Sequence, residues 1–139
     1  MLYYRKPPDV VRLGSQNLNE TRPHQKDIKI AVIILHPKYR SSLYYHDIAL
    51  LKLSKSVEFS SFIRPSCLWQ LPDMEIPKAI ATGWGQTEFM GPKSDELLKV
   101  DLKIIPQRLC KDLYRKERRL PRGIIDGQFC AGHLEGGKD

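Results

Sequence analysis

Short apolar segments, each halted by proline, glycine or a polar turn, constrain this chain more than any other feature. Asp27-Ile28-Lys29-Ile30 alternates and then becomes a continuous apolar run, Ile30 to Leu35, that reads as buried and is ended by His36-Pro37. Proline removes a ladder donor, so the run reads as a strand and not as a long helix. Ile48 to Leu53 is a second such segment, and Lys78 to Thr82 a third, closed by Gly83-Trp84-Gly85. The clearest alternation lies between Leu98 and Ile104. Leu98, Val100, Leu102 and Ile104 fall on one face of an extended chain, and Lys99, Asp101 and Lys103 on the other. Val10 to Leu13, ended by Gly14, is a weaker strand. Ten prolines and nine glycines separate these segments. Short strands with frequent turn signals specify an all-β barrel or sandwich.

One helix fits the remainder. Pro106 suits a first helical position, and Leu109 and Leu113 lie four apart on one face. The pattern carries the helix on to Leu120, with Pro121 and Gly123 as its stop. Its polar side is basic, with Arg115, Lys116, Arg118 and Arg119 close together. The shift in composition between Glu58 and Pro77 marks a connection between two halves.

The 139 residues carry 23 Lys and Arg against 16 Asp and Glu, a net charge of +7. That excess raises the question of a polyanionic partner. Nucleic acid is the least favoured, since no stacking platform or recognition motif accompanies the charge. No stretch approaches the ~20 apolar residues of a membrane-spanning helix. The first eight residues, Met1 to Pro8, lack the apolar centre of a signal peptide. Three cysteines, Cys67, Cys110 and Cys130, leave at least one without a partner in the chain.

His46-Asp47-Ile48-Ala49-Leu50-Leu51-Lys52-Leu53 opens an apolar strand with an aspartate, and a charge is costly to bury without partners. The segment closely resembles the strand that bears the catalytic aspartate in trypsin-like (chymotrypsin-family) serine proteases. Five further stretches agree with that family in order: Val11-Arg12-Leu13-Gly14, Ile34-Leu35-His36-Pro37-Lys38-Tyr39, Ile63-Arg64-Pro65-Ser66-Cys67-Leu68, Ala81-Thr82-Gly83-Trp84-Gly85, and Phe129-Cys130-Ala131-Gly132 onward to Asp139. A single tripeptide would carry little; six ordered matches span nearly the whole chain.

The resemblance implies an all-β fold, a partial double six-stranded β-barrel with one short helix. Residues 1–66 would be the C-terminal part of the first barrel, 67–77 the interdomain link, and 78–139 the N-terminal part of the second. It implies that Asp47 is the catalytic aspartate, which holds a histidine's tautomer and stabilises the imidazolium. Asp139 would sit at the floor of the primary specificity pocket and select Arg or Lys, and Tyr44 would line an adjoining subsite. The alternative for Asp47 is a turn residue bonding nearby amides, and for Asp139 an exposed C-terminal side chain. His46 is expected to point away from Asp47 by strand alternation, and none of His24, His36, His46 and His133 is expected to be the base.

The family's Ala-Ala-His-Cys and Gly-Asp-Ser-Gly-Gly segments, and its Ile-Val-Gly-Gly terminus, are not among these residues. The expectation is therefore a fragment of a secreted trypsin-like endopeptidase cleaving after Arg or Lys, inactive as this chain alone and poorly stable in isolation. The alternative is a non-catalytic homologue acting as a binding or cofactor module. The resemblance pairs Cys110 with Cys130. It leaves Cys67 either a free buried thiol or a tether to an N-terminal regulatory module, and Cys67-Leu68-Trp69 resembles the clip-domain cascade proteases of arthropods. No cofactor is expected. Zinc lacks its ligand spacing, and the Gly14–Lys26 loop offers calcium only Glu20. Arg115, Lys116, Arg118 and Arg119 are a candidate polyanion exosite.

Overall fold

The computed structural model describes residues 6–70, 78–87 and 91–133. Six strands and one helix follow in order: β1 (Val10–Leu13), β2 (Lys26–Leu35), β3 (Ala49–Leu53), β4 (Lys78–Gly83), β5 (Leu98–Ile105), α1 (Gln107–Leu113) and β6 (Cys130–Gly132). They form two three-stranded antiparallel sheets, β1-β2-β3 and β4-β5-β6. Neither sheet closes into a barrel among the described residues, so the all-β fold of partial barrels matches the sequence expectation. The described residues fall into two compact units, one of residues 6–40 and 46–68, the other of residues 41–45 and those described from 69 to 133.

In the first unit β1 pairs with the start of β2, from Val10 opposite Lys29 to Leu13 opposite Lys26. Arg12 and Asp27 are directly opposite in this register, and both guanidinium nitrogens that face the carboxylate donate to it at 2.8 Å. The bidentate bond holds the Asp27 carboxyl below its ordinary range and the Arg12 guanidinium above its own. Gly14 ends β1 with φ +71°, and a Cβ there would meet the His24 carbonyl oxygen and Ile63 Cγ1 at 3.1 Å. Glycine is what the left-handed turn and that close approach require.

The second half of β2 pairs with β3, from Ile30 opposite Leu53 to Leu35 opposite Ala49, with a register shift between Ile30 and Val32. Ile28 and Ile63 are buried, but Val32, Ile34, Leu35, Leu50 and Leu51 are exposed. The run from Ile30 to Leu35 read as buried from its composition. In the structure a three-stranded sheet covers little of either face, and the expectation fails on that ground.

In the second unit β5 pairs on one side with β4 and on the other with β6. Its alternation is as expected from Val100 onward: Val100, Leu102 and Ile104 are half-buried, and Lys99, Asp101 and Lys103 are exposed; Leu98, expected on the apolar face, is exposed as well. Ile105 breaks the pattern and is also buried. Strand β6 was not anticipated; three residues beside a glycine-rich stretch show no alternation long enough to read.

The helix is shorter than the sequence pattern suggests. It stops at Leu113, with Tyr114 as its C-cap, and successive turns carry the chain to Gly123. Beyond Leu113 no apolar stripe continues. Arg115 would stand three and four residues from Arg118 and Arg119, and such like-charge pairs disfavour a helix. Nor is the Leu109–Leu113 face the buried one. Both leucines are exposed, and Cys110 is the residue that is wholly buried. Cys110 joins Cys130 in a disulfide with a Cα–Cα distance of 6.0 Å, the pair the family resemblance implied. Closing a loop of sequence separation 20 contributes about 3 kcal/mol by the chain-entropy model. Around it lies a cluster of Tyr45, Leu120 and Ile124, with Leu43 and Ile125 packed against it.

Candidate active-site segment

Asp47 lies in the connection between β2 and β3. The Ile48 amide donates to the His46 carbonyl at 2.8 Å, an i to i+2 bond that makes Asp47 the centre of a tight turn. The Asp47 side chain is exposed here, unlike the buried carboxylate that the resemblance implied. Its neighbours Ile48, Ala49 and Leu50 are exposed as well, so the strand it opens gives it no low-dielectric surroundings.

His46 is not a strand residue. It takes φ +55°, and its ring stacks on His36 at 4.6 Å with the planes 6° apart. The orientation of His46 therefore comes from a left-handed turn and a ring contact, not from strand alternation. His36 Nδ1 accepts from the Lys38 amide at 3.1 Å, and the His36 amide donates to Ile48 at 3.2 Å. His24 stacks on Phe62 with ring centroids 3.9 Å apart. His133 Nε2 donates to the Asp101 carbonyl at 3.1 Å. His24, His36 and His133 are thus each engaged with partners other than Asp47.

Residues 41–45 belong to the second unit and are bonded within it. Tyr45 is 2% exposed, and its hydroxyl donates to the Gly123 carbonyl at 2.9 Å and accepts from the Arg122 amide at 2.8 Å. The Tyr44 amide donates to the Arg119 carbonyl at 3.1 Å, and the Tyr44 carbonyl accepts from Gln128 Nε2 at 2.9 Å. Arg119 Nη2 donates to the Ser41 carbonyl at 2.7 Å, and its Nε to the Ser42 carbonyl at 3.4 Å. The same guanidinium stands 4.0 Å over the Tyr44 ring, and that of Arg122 stands 4.6 Å over Tyr45. Gln128 is itself fixed: its Oε1 accepts from Ile125, and Gln107 donates to its carbonyl. These bonds seat the backbone of residues 41–45 on the turns between α1 and β6.

Tyr44 remains half exposed and borders, with Phe129 and Gln128, a shallow groove of about 660 Å³. Sequence reasoning singled out Tyr44 but missed Tyr45, Arg119 and Gln128 as the residues that place it. The one available signal was a large aromatic pair in an otherwise polar loop. Arg119 was read as part of a free basic surface, whereas its guanidinium is spent on two carbonyls and a ring.

Asp139 and residues 71–77 of the expected link lie outside the described residues. Cys67 is exposed and in no disulfide, which corrects the picture of a buried thiol. Among the described residues no group of His, Cys, Asp and Glu side chains is placed to hold a metal ion. Glu20, the lone carboxylate of the Gly14–Lys26 loop, is bound by Arg22. No described helix is long and apolar enough to cross a membrane.

The family model for trypsin matches residues 3–139. The chain is 66% identical to serine protease snk of Drosophila melanogaster over 134 residues, which is 96% of this chain and 31% of that protein. It is 38% identical to the proclotting enzyme of Tachypleus tridentatus, over 96% of this chain and 36% of that protein. It is 37% identical to the venom serine protease Bi-VSP of Bombus ignitus, over 94% and 38% respectively. The chain spans about a third of the length of these curated relatives. With six ordered family segments, two antiparallel sheets and a match over nearly its whole length, the chain belongs to the trypsin-like serine protease family.

Proposed function

We propose that these residues are part of a secreted endopeptidase that hydrolyses peptide bonds after Arg or Lys. The observation that carries this reading is the family match over residues 3–139. In this reading Asp47 accepts the N–H of a histidine supplied by another part of the protein. It thereby keeps that imidazole's other nitrogen free to take the proton of a serine hydroxyl, and it stabilises the imidazolium formed. Asp139 supplies the carboxylate that pairs with the substrate's guanidinium or ammonium group. Tyr44 lines the neighbouring subsite, residues 1–66 are the C-terminal part of the first barrel, 67–77 the link, and 78–139 the N-terminal part of the second barrel. Cys67, exposed and outside the disulfide, tethers a regulatory module. Residues 1–139 by themselves supply one member of the triad, and an aspartate alone neither attacks an amide nor takes the nucleophile's proton.

The test uses the full-length protein after proteolytic activation, with an arginyl ester as substrate. Asp47→Asn is expected to lower kcat by roughly 10⁴-fold, the cost of holding the wrong tautomer. Asp139→Ser is expected to remove the preference for Arg and Lys and to leave residual hydrolysis. An Asp47→Asn variant as active as the parent overturns the assignment of Asp47. A full-length protein that never labels with a serine-directed inhibitor overturns the peptidase reading in favour of a binding homologue.

A further inference from the structure

The turns between α1 and β6 present a second surface. Three i to i+3 bonds shape it: the Glu117 amide to Tyr114, the Leu120 amide to Glu117, and the Gly123 amide to Leu120. Leu120 and Ile124 plug into the buried cluster, the Cys110–Cys130 disulfide closes the loop, and Tyr45 bonds Arg122 and Gly123. The platform is therefore fixed by covalent, apolar and hydrogen-bonded ties before any ligand arrives.

On it lies an open groove of about 840 Å³ lined by Lys111, Arg115, Lys116, Arg118 and Arg122. None of these five is in an ion pair among the described residues. The two carboxylates on the same rim, Asp112 and Glu117, leave the groove cationic, and one Glu117 oxygen is taken by the Arg119 amide. Arg119 itself does not line the groove; its guanidinium reaches Ser41, Ser42 and Tyr44.

We infer that this groove docks a linear sulfated polysaccharide, through Lys111, Arg115, Lys116, Arg118 and Arg122 and without Arg119. Guanidinium forks bind sulfate oxygens in pairs, and cations outside any ion pair bind without first breaking one; Arg122 stands over the Tyr45 ring, a contact that costs it no carboxylate. No aromatic side chain lines the groove, so it offers nucleobases no stacking face. Its concavity fits a chain of anionic groups better than a flat bilayer surface. The docking surface stands independently of the peptidase reading, because it needs neither Asp47 nor Asp139.

The experiment measures binding of the full-length protein to heparin across a salt series. The R115S/K116S/R118S triple is expected to elute from heparin at lower salt. Its plot of log K against log salt should be shallower by roughly two to three, at ~0.7–0.9 per lost anion contact. R119Q is expected to keep the parental slope while lowering the thermal midpoint, since Arg119 ties down residues 41–45. Hydrolysis of the arginyl ester by the triple, read in parallel, should equal the parent's, so a failed peptidase assignment and a failed groove are told apart. An unchanged elution of the triple overturns the proposal. So does an equal loss of slope in R119Q. Binding of oligo(dT) or phosphatidylserine vesicles as tight as that of heparin at the same salt overturns the choice of polysaccharide.

Discussion

Tyr45→Phe removes one oxygen from an aromatic side chain that is 2% exposed. That oxygen accepts from the Arg122 amide at 2.8 Å and donates to the Gly123 carbonyl at 2.9 Å. A neutral hydrogen bond contributes about 1 kcal/mol net, and a stranded polar partner adds to the loss when water cannot reach it. Arg122 is exposed and Gly123 half-buried, so water relieves part of that second cost. The two bonds together amount to about 2 kcal/mol. The readout is amide hydrogen exchange at Arg122 in the full-length protein, which reports local opening without assuming one cooperative transition. About 2 kcal/mol corresponds to exchange about 30-fold faster. Tyr45→Ala also loses the buried ring and its contact with the Arg122 guanidinium, and should cost about 3–5 kcal/mol. Its effect should spread to Leu120 and Ile124, which pack in the same cluster. Unchanged Arg122 protection in Tyr45→Phe would show that the hydroxyl does not hold these turns. Equal losses in the two variants would show that the hydroxyl bonds alone, with no share from the ring, seat residues 41–45.

Two further outcomes follow from the first unit. Gly14→Ala should destabilise by about 1–2 kcal/mol, the cost of a left-handed backbone for an L residue. Contact of its Cβ with the His24 carbonyl adds to that cost, and a denaturation midpoint equal to the parent's would contradict it. Asp27→Asn tests the Arg12 pair through pH. The Asp27 pKa is lower folded than unfolded, so its contribution is full above the ordinary aspartate value of about 3.9 and is lost as pH falls through the depressed folded value. The midpoint difference between parent and variant should be small at pH 7, because both side chains are about half exposed, and should vanish in strong acid. A difference that persists unchanged at pH 2 would refute the pairing as its source.

How much of the site was legible differs residue by residue. Asp47 and Tyr44 were found because a stretch of text around them is similar to a known family. Their surroundings were not found: the exposure of Asp47 follows from what covers the sheet, and no local pattern records that. The shortened helix shows a similar limit. Leu109 and Leu113 satisfy the helical period, but the buried helix residue is Cys110, chosen by the disulfide and by Tyr45 across the cluster. The basic run read as a uniform patch, and the structure divides it into Arg119, which serves as an anchor, and neighbours that face solvent.

Local order determined five of the six strands. Alternation in β5, apolar runs in β2 and β3, and the proline and glycine stops are properties of neighbouring residues, and they specified an all-β chain, while the pairing into two antiparallel sheets and the short β6 came from the folded structure. Tertiary structure decided the rest, because the bonds that matter most join residues 77 to 84 positions apart. Tyr45 has no apolar period around it, and only folding brings its hydroxyl to Arg122 and Gly123. A sequence states which groups could bond; the folded backbone alone states which ones come within 3 Å.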